Sequence, residues 1–348
     1  MKNLKKVLVV FLALVAVAAF TACGSSGSGD AGSGGGDAAA SVELRCGTHY
    51  NTEHANYKLL EAFAESVKEK TDGAVTISLF PSSQLGDYST MYGDLKSGAL
   101  DMAMMSIASE YDPQFEMNFI PYAAGTYEEA EKYLGPDGYF FSEYKQIHAA
   151  QNVQLLGIYA EGMIGYGFTK EPANYNDPEA KKPMKIRSPA IEVYADVTKD
   201  LGFNSTTINY SDLYSAMQTG VCDGWVGGSP QLNWTDFKDV IKYYVPYNVF
   251  MENGGVFMSD SAWNKLSEDQ QAVVTECAAQ LVKDSFAQAE ANDEDCLKKL
   301  EEYGVKILPL TDEELNAFKE KVRKDVWPTL YDKFGEDRLN KIIEDVEG

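Results

Sequence analysis

The chain predicts an α/β fold of two similar lobes facing each other across a cleft, with hinge strands between them and one long helix spanning both. Three observations carry this expectation. Met91 to Asp101 reads Met-Tyr-Gly-Asp-Leu-Lys-Ser-Gly-Ala-Leu-Asp, and Leu213 to Asp223 reads Leu-Tyr-Ser-Ala-Met-Gln-Thr-Gly-Val-Cys-Asp. At one constant offset Tyr92 matches Tyr214, Leu95 matches Met217, Ser97 matches Thr219, Gly98 matches Gly220 and Asp101 matches Asp223. Each copy spaces its apolar residues as a helix does, ends on a glycine suited to the left-handed conformation, and leads into a short strand. Second, strand and helix patterns alternate along the chain. Third, a helical pattern that starts at Ser267-Glu268-Asp269, with acids at the positive end of the dipole, runs to about Tyr303. That is too long for one lobe to cover.

Residues 1–22 stand outside the fold. Lys2, Lys5 and Lys6 precede the uncharged apolar run Val7 to Phe20, which is short for a membrane helix and has the flanks of an export signal. Phe20-Thr21-Ala22-Cys23-Gly24 resembles the lipobox of bacterial lipoproteins, which implies cleavage before Cys23 and lipidation of that residue. Gly24 to Ser41 is almost entirely Gly, Ser, Ala and Asp, a flexible tether with a reach of about 20–25 Å. A lipid plus a slack leash holds a domain at the outer face of a cell membrane without spanning it.

The expected organisation is residues 23–41 as lipidated cysteine and linker, 42–165 with 251–290 as the first lobe, and 166–250 with 291–348 as the second. The net charge of −23 becomes about −26 once the three signal lysines are gone. Such a surface disfavours nucleic acid and anionic lipid, so an anionic ligand needs a local cation. Cys46, Cys222, Cys277 and Cys296 fit no zinc spacing and are expected to be free, buried thiols.

The elements follow in order. Val42 to Cys46 is a strand, and Asn56 to Lys70 a helix with Tyr57, Leu60, Phe63, Ala64 and Val67 on one face. Val75 to Phe80 alternates as a strand and is stopped by Pro81. Strands are expected at Leu100 to Met105, Val153 to Tyr159, Met184 to Ser188, Val221 to Val226 and Val305 to Leu308, with helices from Asp312 onward.

No catalytic pattern emerges. His49, His54 and His148 lack the glutamate arrangement of a zinc protease, no phosphate loop is present, and Gly227-Gly228-Ser229-Pro230 does not have the spacing of a nucleophile elbow. Neither a metal nor a cofactor is expected. One cation stands out: Arg187, where the strand Met184-Lys185-Ile186-Arg187 meets Ser188-Pro189. Its planar fork suits a carboxylate as no lysine does, although from these features alone a surface salt bridge is the commoner reading of the same position.

Four segments together resemble the solute-binding proteins of tripartite ATP-independent periplasmic (TRAP) transporters, of the DctP type: Phe80 to Gly86, Gly98 to Met102, Met184 to Pro189 and Tyr214 to Gly224. The resemblance implies a periplasmic-binding-protein-like fold that closes on an organic acid and delivers it to membrane permease subunits, as a non-enzymatic monomer. It places Arg187 at the arginine that pairs with the ligand carboxylate, and implies ligand contacts at Tyr210 and Trp225; Tyr166, Asn209 and Tyr50 complete the expected set. Two departures matter. Gly167 stands where many members carry a second arginine, and Trp225-Val226-Gly227-Gly228-Ser229-Pro230 replaces a common Glu/Asn-x-Pro pattern. Both favour a monocarboxylate with an apolar or aromatic body over a dicarboxylate. The location implied is extracytoplasmic, which is the periplasm in a Gram-negative cell. A receptor of an ATP-driven (ABC-type) importer and a secreted cleft hydrolase are the alternatives.

Overall fold

The computed structural model describes residues 41–347; the expected export signal, Cys23 lipidation site and tether lie outside the described residues. The chain runs β1 (Val42–Thr48), α1 (Ala55–Lys70), β2 (Val75–Phe80), α2 (Tyr88–Ser97), β3 (Met102–Met105), α3 (Tyr127–Leu134), α4 (Tyr139–Ala149) and β4 (Val153–Met163). It continues through β5 (Gly165–Phe168), β6 (Lys185–Ser188), α5 (Glu192–Asp200), β7 (Asn204–Thr207), α6 (Tyr210–Gln218), β8 (Gly224–Gly228), α7 (Pro230–Leu232) and β9 (Tyr243–Val245). The last part comprises β10 (Met251–Ser259), α8 (Asp260–Trp263), α9 (Glu268–Tyr303), β11 (Lys306–Ile307), α10 (Asp312–Asp325), α11 (Trp327–Phe334) and α12 (Glu336–Glu347).

Two mixed sheets form the lobes. The first has the order β2-β1-β3-β10-β4 and the second β11-β9-β5-β8-β6-β7. β1 runs parallel to β2 and β3, whereas β10 lies antiparallel between β3 and β4. In the second sheet β6 is parallel to β7 and β8, and β5 is antiparallel to β8 and β9.

The chain passes between the sheets twice, from β4 to β5 and from β9 to β10. The two crossings are bonded to each other: Ile164 N donates to Phe250 O at 2.9 Å and Val249 N to Ile164 O at 3.2 Å. Helix α9 is the third link, packing on α1 and β4 of the first lobe and on β11 and α7 of the second. It begins at a capping box, Ser267 with Gln270, which satisfies orphan donors at both residues. At the crossing, Asp293 of α9 accepts from Met163 N at 2.7 Å and from Tyr127 Oη at 2.6 Å. Gly162 makes this approach possible, since a Cβ there would sit 2.3 Å from Asp293 Oδ1.

The repeat folds as the same unit in both lobes. Helices α2 and α6 end at glycines with left-handed backbone, Gly98 at φ 77° and Gly220 at φ 75°. The strands behind them start later than expected, at Met102 and Gly224, because the residues after each glycine continue the turn. The expected lobe boundary changes at the C-terminus, where α12 returns to pack on α3 and α4 of the first lobe. Cys46, Cys222, Cys277 and Cys296 are all free and buried, and burial pushes the Cys46 thiol up to about 12. Among the described residues no helix is long and apolar enough to cross a membrane.

Candidate functional site

A narrow cavity lies between the two sheets. His49, Tyr88, Ser106, Phe119 and Glu252 line it from the first lobe. Arg187, Pro189, Ile191, Tyr194, Tyr210, Gly227 and Leu232 line it from the second. The positions follow from topology: Arg187 is near the carboxyl end of β6 between β7 and β8, where open α/β sheets place their ligands.

Arg187 is 2% exposed. Its Nε donates to Ile208 O at 2.8 Å and its Nη1 to Val226 O at 3.4 Å, two carbonyls on the flanking segments that fix the plane of the fork. No carboxylate among the described residues lies within ion-pair distance, and Nη2 makes no protein hydrogen bond. The surface salt bridge that the sequence left open is therefore absent. Burial lowers the guanidinium's proton affinity, but arginine stays charged at any physiological pH. Arg187 is the one Lys or Arg, and Glu252 the one Asp or Glu, among the lining residues.

Glu252, on β10, is 3% exposed. It accepts from Tyr194 Oη at 3.0 Å, across the cleft, and from Ser106 Oγ at 3.5 Å. Burial, and then the nearby Glu161 charge, hold its carboxyl well above the usual range. Glu161 sits on β4 just outside the cavity and joins the lobes, accepting from Tyr50 Oη at 2.6 Å and from Ser229 Oγ at 3.0 Å. Burial outweighs those bonds and pushes it up to about 7. Burial also lowers the His49 imidazole to about 3, so that ring is neutral. Tyr210 donates to Asp236 Oδ2 at 2.7 Å, and Asp236 Oδ1 accepts from Asn51 Nδ2 of the first lobe at 2.6 Å.

Of the expected contacts, Arg187 and Tyr210 reach the cavity and four do not. The ring of Tyr166 packs with Phe203 and Tyr247 inside the second lobe and its hydroxyl meets Thr198 Oγ1 at 3.0 Å, because the pleat of β5 turns it into the core. Trp225 is 1% exposed, packs at a tilt against Phe237 and donates to Asn233 Oδ1 at 3.0 Å, so it backs the cavity without lining it. Asn209 is an exposed N-cap of α6. Tyr50 is committed to Glu161 and to Tyr159 Oη at 2.9 Å. Gly167 faces the Trp225–Asn233 pair, and a Cβ there would sit 2.6 Å from Asn233 Oδ1. Sequence reading missed Tyr88, Ser106, Phe119, Tyr194 and Glu252. Glu252 left a trace, an acid and Asn253 interrupting an otherwise apolar strand.

Two α/β lobes, linked by paired crossing strands and enclosing a buried guanidinium without an acidic partner, define a two-lobed receptor for a small molecule. Residues 46–333 match the family model of the bacterial extracellular solute-binding protein, family 7 (DctP), and the chain belongs to that family of transport receptors. A solute-binding protein of Chromohalobacter salexigens is 24% identical over 298 residues, covering 84% of this chain and 85% of its own. The sialic acid-binding periplasmic protein SiaP of Vibrio cholerae is 26% identical over 259 residues, covering 72% and 78%. Among solved structures, the sugar acid binding protein DctPAm of Advenella mimigardefordensis, in complex with galactonate, superposes with a TM-score of 0.81 at 22% identity over 88% of this chain and 98% of that one. A TRAP solute-binding protein of Desulfovibrio salexigens with bound orotic acid gives a TM-score of 0.80 at 20% identity, over 88% and 98%. These likenesses establish the two-lobed fold.

Proposed function

We propose that this protein captures a small organic acid with a single carboxylate between its lobes, closes on it, and presents it to the membrane subunits of a TRAP-type permease. In this reading Arg187 grips the carboxylate, Tyr210 packs against the ligand body, and a lipid on Cys23 keeps the receptor at the outer face of the cell membrane. The observation that carries it is the Arg187 guanidinium, fully enclosed, oriented by two backbone carbonyls and left without an acidic partner. A buried charge without a partner costs several kcal/mol, roughly, so a fold that keeps one leaves the partner to be supplied by a ligand. Galactonate and orotate, held by two structural neighbours, each carry one carboxylate, which supports the same class here.

The test is to extract the purified protein under denaturing conditions, identify co-purifying acids by mass spectrometry, and titrate them back by calorimetry with small-angle scattering in parallel. A monocarboxylate that binds and compacts the protein is expected. Recovery of a neutral or cationic solute that binds tightly would refute the reading, as would chemical turnover of the acid.

A further inference from the structure

The cavity holds a second charged residue that gripping a carboxylate does not explain. Glu252 has only hydroxyl partners in the protein, Tyr194 at 3.0 Å and Ser106 at 3.5 Å, the second at the limit of a hydrogen bond. A carboxyl offers about four acceptor directions, so part of its capacity faces the cavity unused. If filling the wall were its task, an apolar or amide side chain would do so at far lower desolvation cost. Its neighbours Ser106 and Tyr194 line the same cavity and make that wall polar, in contrast to the apolar Pro189, Ile191 and Leu232 elsewhere around it.

We propose that Glu252 is a specificity-determining residue. It selects acids that carry a hydrogen-bond donor, a hydroxyl or an ammonium group, on the part of the molecule remote from the carboxylate, and it disfavours a second carboxylate. The inference rests on the proposed carboxylate site at Arg187. Its chemistry is that of one cation and one acid at two points of one cavity. The ligand carboxylate neutralises Arg187, and a donor completes the shell of Glu252. A diacid brings a second negative charge next to Glu252 with no further Lys or Arg in the lining. A plain aliphatic acid leaves Glu252 facing methylene groups. This refines the apolar ligand body expected from the sequence: the aromatic walls stay, and one end of the ligand is polar.

The probes are hexanoate, 6-aminohexanoate, adipate, D-galactonate and galactarate, titrated by calorimetry at pH 7.5 against the wild type, Glu252→Gln and Arg187→Ala. The amino and hydroxy acids separate the two sources of a donor. At least one donor-bearing monoacid is expected to bind about tenfold or more tighter than hexanoate and than its own diacid, the discrimination of one hydrogen bond to a charged group. Burial draws the unliganded carboxyl toward its neutral form, and a donor on the ligand, an ammonium above all, favours the charged one. Glu252→Gln keeps the shape and removes that charge, so it should narrow the gap between monoacid and diacid by about tenfold.

Hexanoate binding as tightly as both donor-bearing acids would overturn the proposal. So would selectivity unchanged in Glu252→Gln, or an equal loss for every acid, which would make Glu252 a closing contact with Tyr194 only. In those cases Arg187→Ala still weakens binding of every acid by about 30-fold or more and the carboxylate reading stands. If no acid binds the wild type, both readings fall. Should Glu252→Gln fold poorly by circular dichroism, the wild-type ranking of the five acids decides alone.

Discussion

Replacing Arg187 is the most direct perturbation of the site, and its size can be worked from the contacts. The guanidinium has five N–H donors. Two are held by Ile208 O and Val226 O, which leaves one on Nη1 and both on Nη2 for a ligand. Removing one partner of a buried, hydrogen-bonded charge pair costs about 2–5 kcal/mol, so Arg187→Ala should weaken binding of a monocarboxylate by about 30-fold or more. Arg187→Lys keeps the charge but loses both carbonyl anchors and the paired donors, and should fall between wild type and alanine. Titration calorimetry of D-galactonate, or of the co-purified acid, measures all three proteins, with thermal melting as the control for folding. The protein's net charge of −23 sharpens the test. Capture by a general positive field is impossible here, so raising salt should not weaken binding in the wild type. Arg187→Ala binding within about threefold of wild type would refute the reasoning.

Gly162→Ala forces a Cβ to within 2.3 Å of Asp293 Oδ1 and must break the Asp293 bonds to Met163 and Tyr127; a loss of roughly 2–4 kcal/mol is expected in chemical denaturation, and an unchanged midpoint would refute the pinned crossing. Glu161, pushed up to about 7 by burial, binds a proton in the folded state between its ordinary 4.5 and that value. Its contribution to stability is therefore full below about 4.5 and lost as pH rises through about 7. The stability difference between wild type and Glu161→Gln should shift against the wild type by up to about 3 kcal/mol from pH 5 to 8, and a constant difference would refute the assignment. Cys23→Ala should release the protein into the medium or leave the signal uncut, whereas normal processing with continued membrane attachment would refute the lipid anchor.

The parts of the fold that the sequence reveals are those in which a local rule leaves one solution. Gly98 and Gly220 are visible because a left-handed residue after a helix nearly demands glycine, and α9 because Ser267 and two acids mark its start. Strand β10 is invisible for the opposite reason. Gly254 and Gly255 read as breakers, yet they sit mid-strand because a Cβ on Gly254 would meet Met105 O at 2.4 Å and one on Gly255 the Phe257 ring at 2.1 Å. Arg187 is legible as a lone arginine at a strand end. The wall opposite it is not, since Tyr88, Ser106 and Glu252 come from three different elements that only the sheet order brings together. Tyr166 and Trp225 show the same limit. An aromatic at a strand end suits the core and the cavity equally, and the pleat that decides between them depends on a pairing register that the linear pattern does not contain.

The contacts between the lobes bear on the ligand-driven closure proposed above. The hydrogen bonds that cross the cleft include Asn51 to Asp236 at 2.6 Å, Ser229 to Glu161 at 3.0 Å, Tyr194 to Glu252 at 3.0 Å, and Glu192 N to Glu116 Oε1 at 2.9 Å. At about 0.5–1.5 kcal/mol net each, they favour the closed form by roughly 2–6 kcal/mol. Closure also buries Glu161 and Glu252, and the upward shift of both carboxyls shows that this burial opposes it. The two effects act in opposite directions, so a ligand held by both lobes can tip the balance toward the closed form. Moving such an equilibrium from 1:99 to 99:1 takes about 5.5 kcal/mol. That is close to what the proposed carboxylate on Arg187 and donor on Glu252 would supply together, and a ligand touching residues of both lobes would realise it only when they meet. Part of the contact energy at Arg187 is then taken up by closure. A residue that contacts the ligand from one lobe alone tunes affinity, whereas Arg187 and Glu252, if they grip one ligand as proposed, would as a pair also set the fraction of closed receptor.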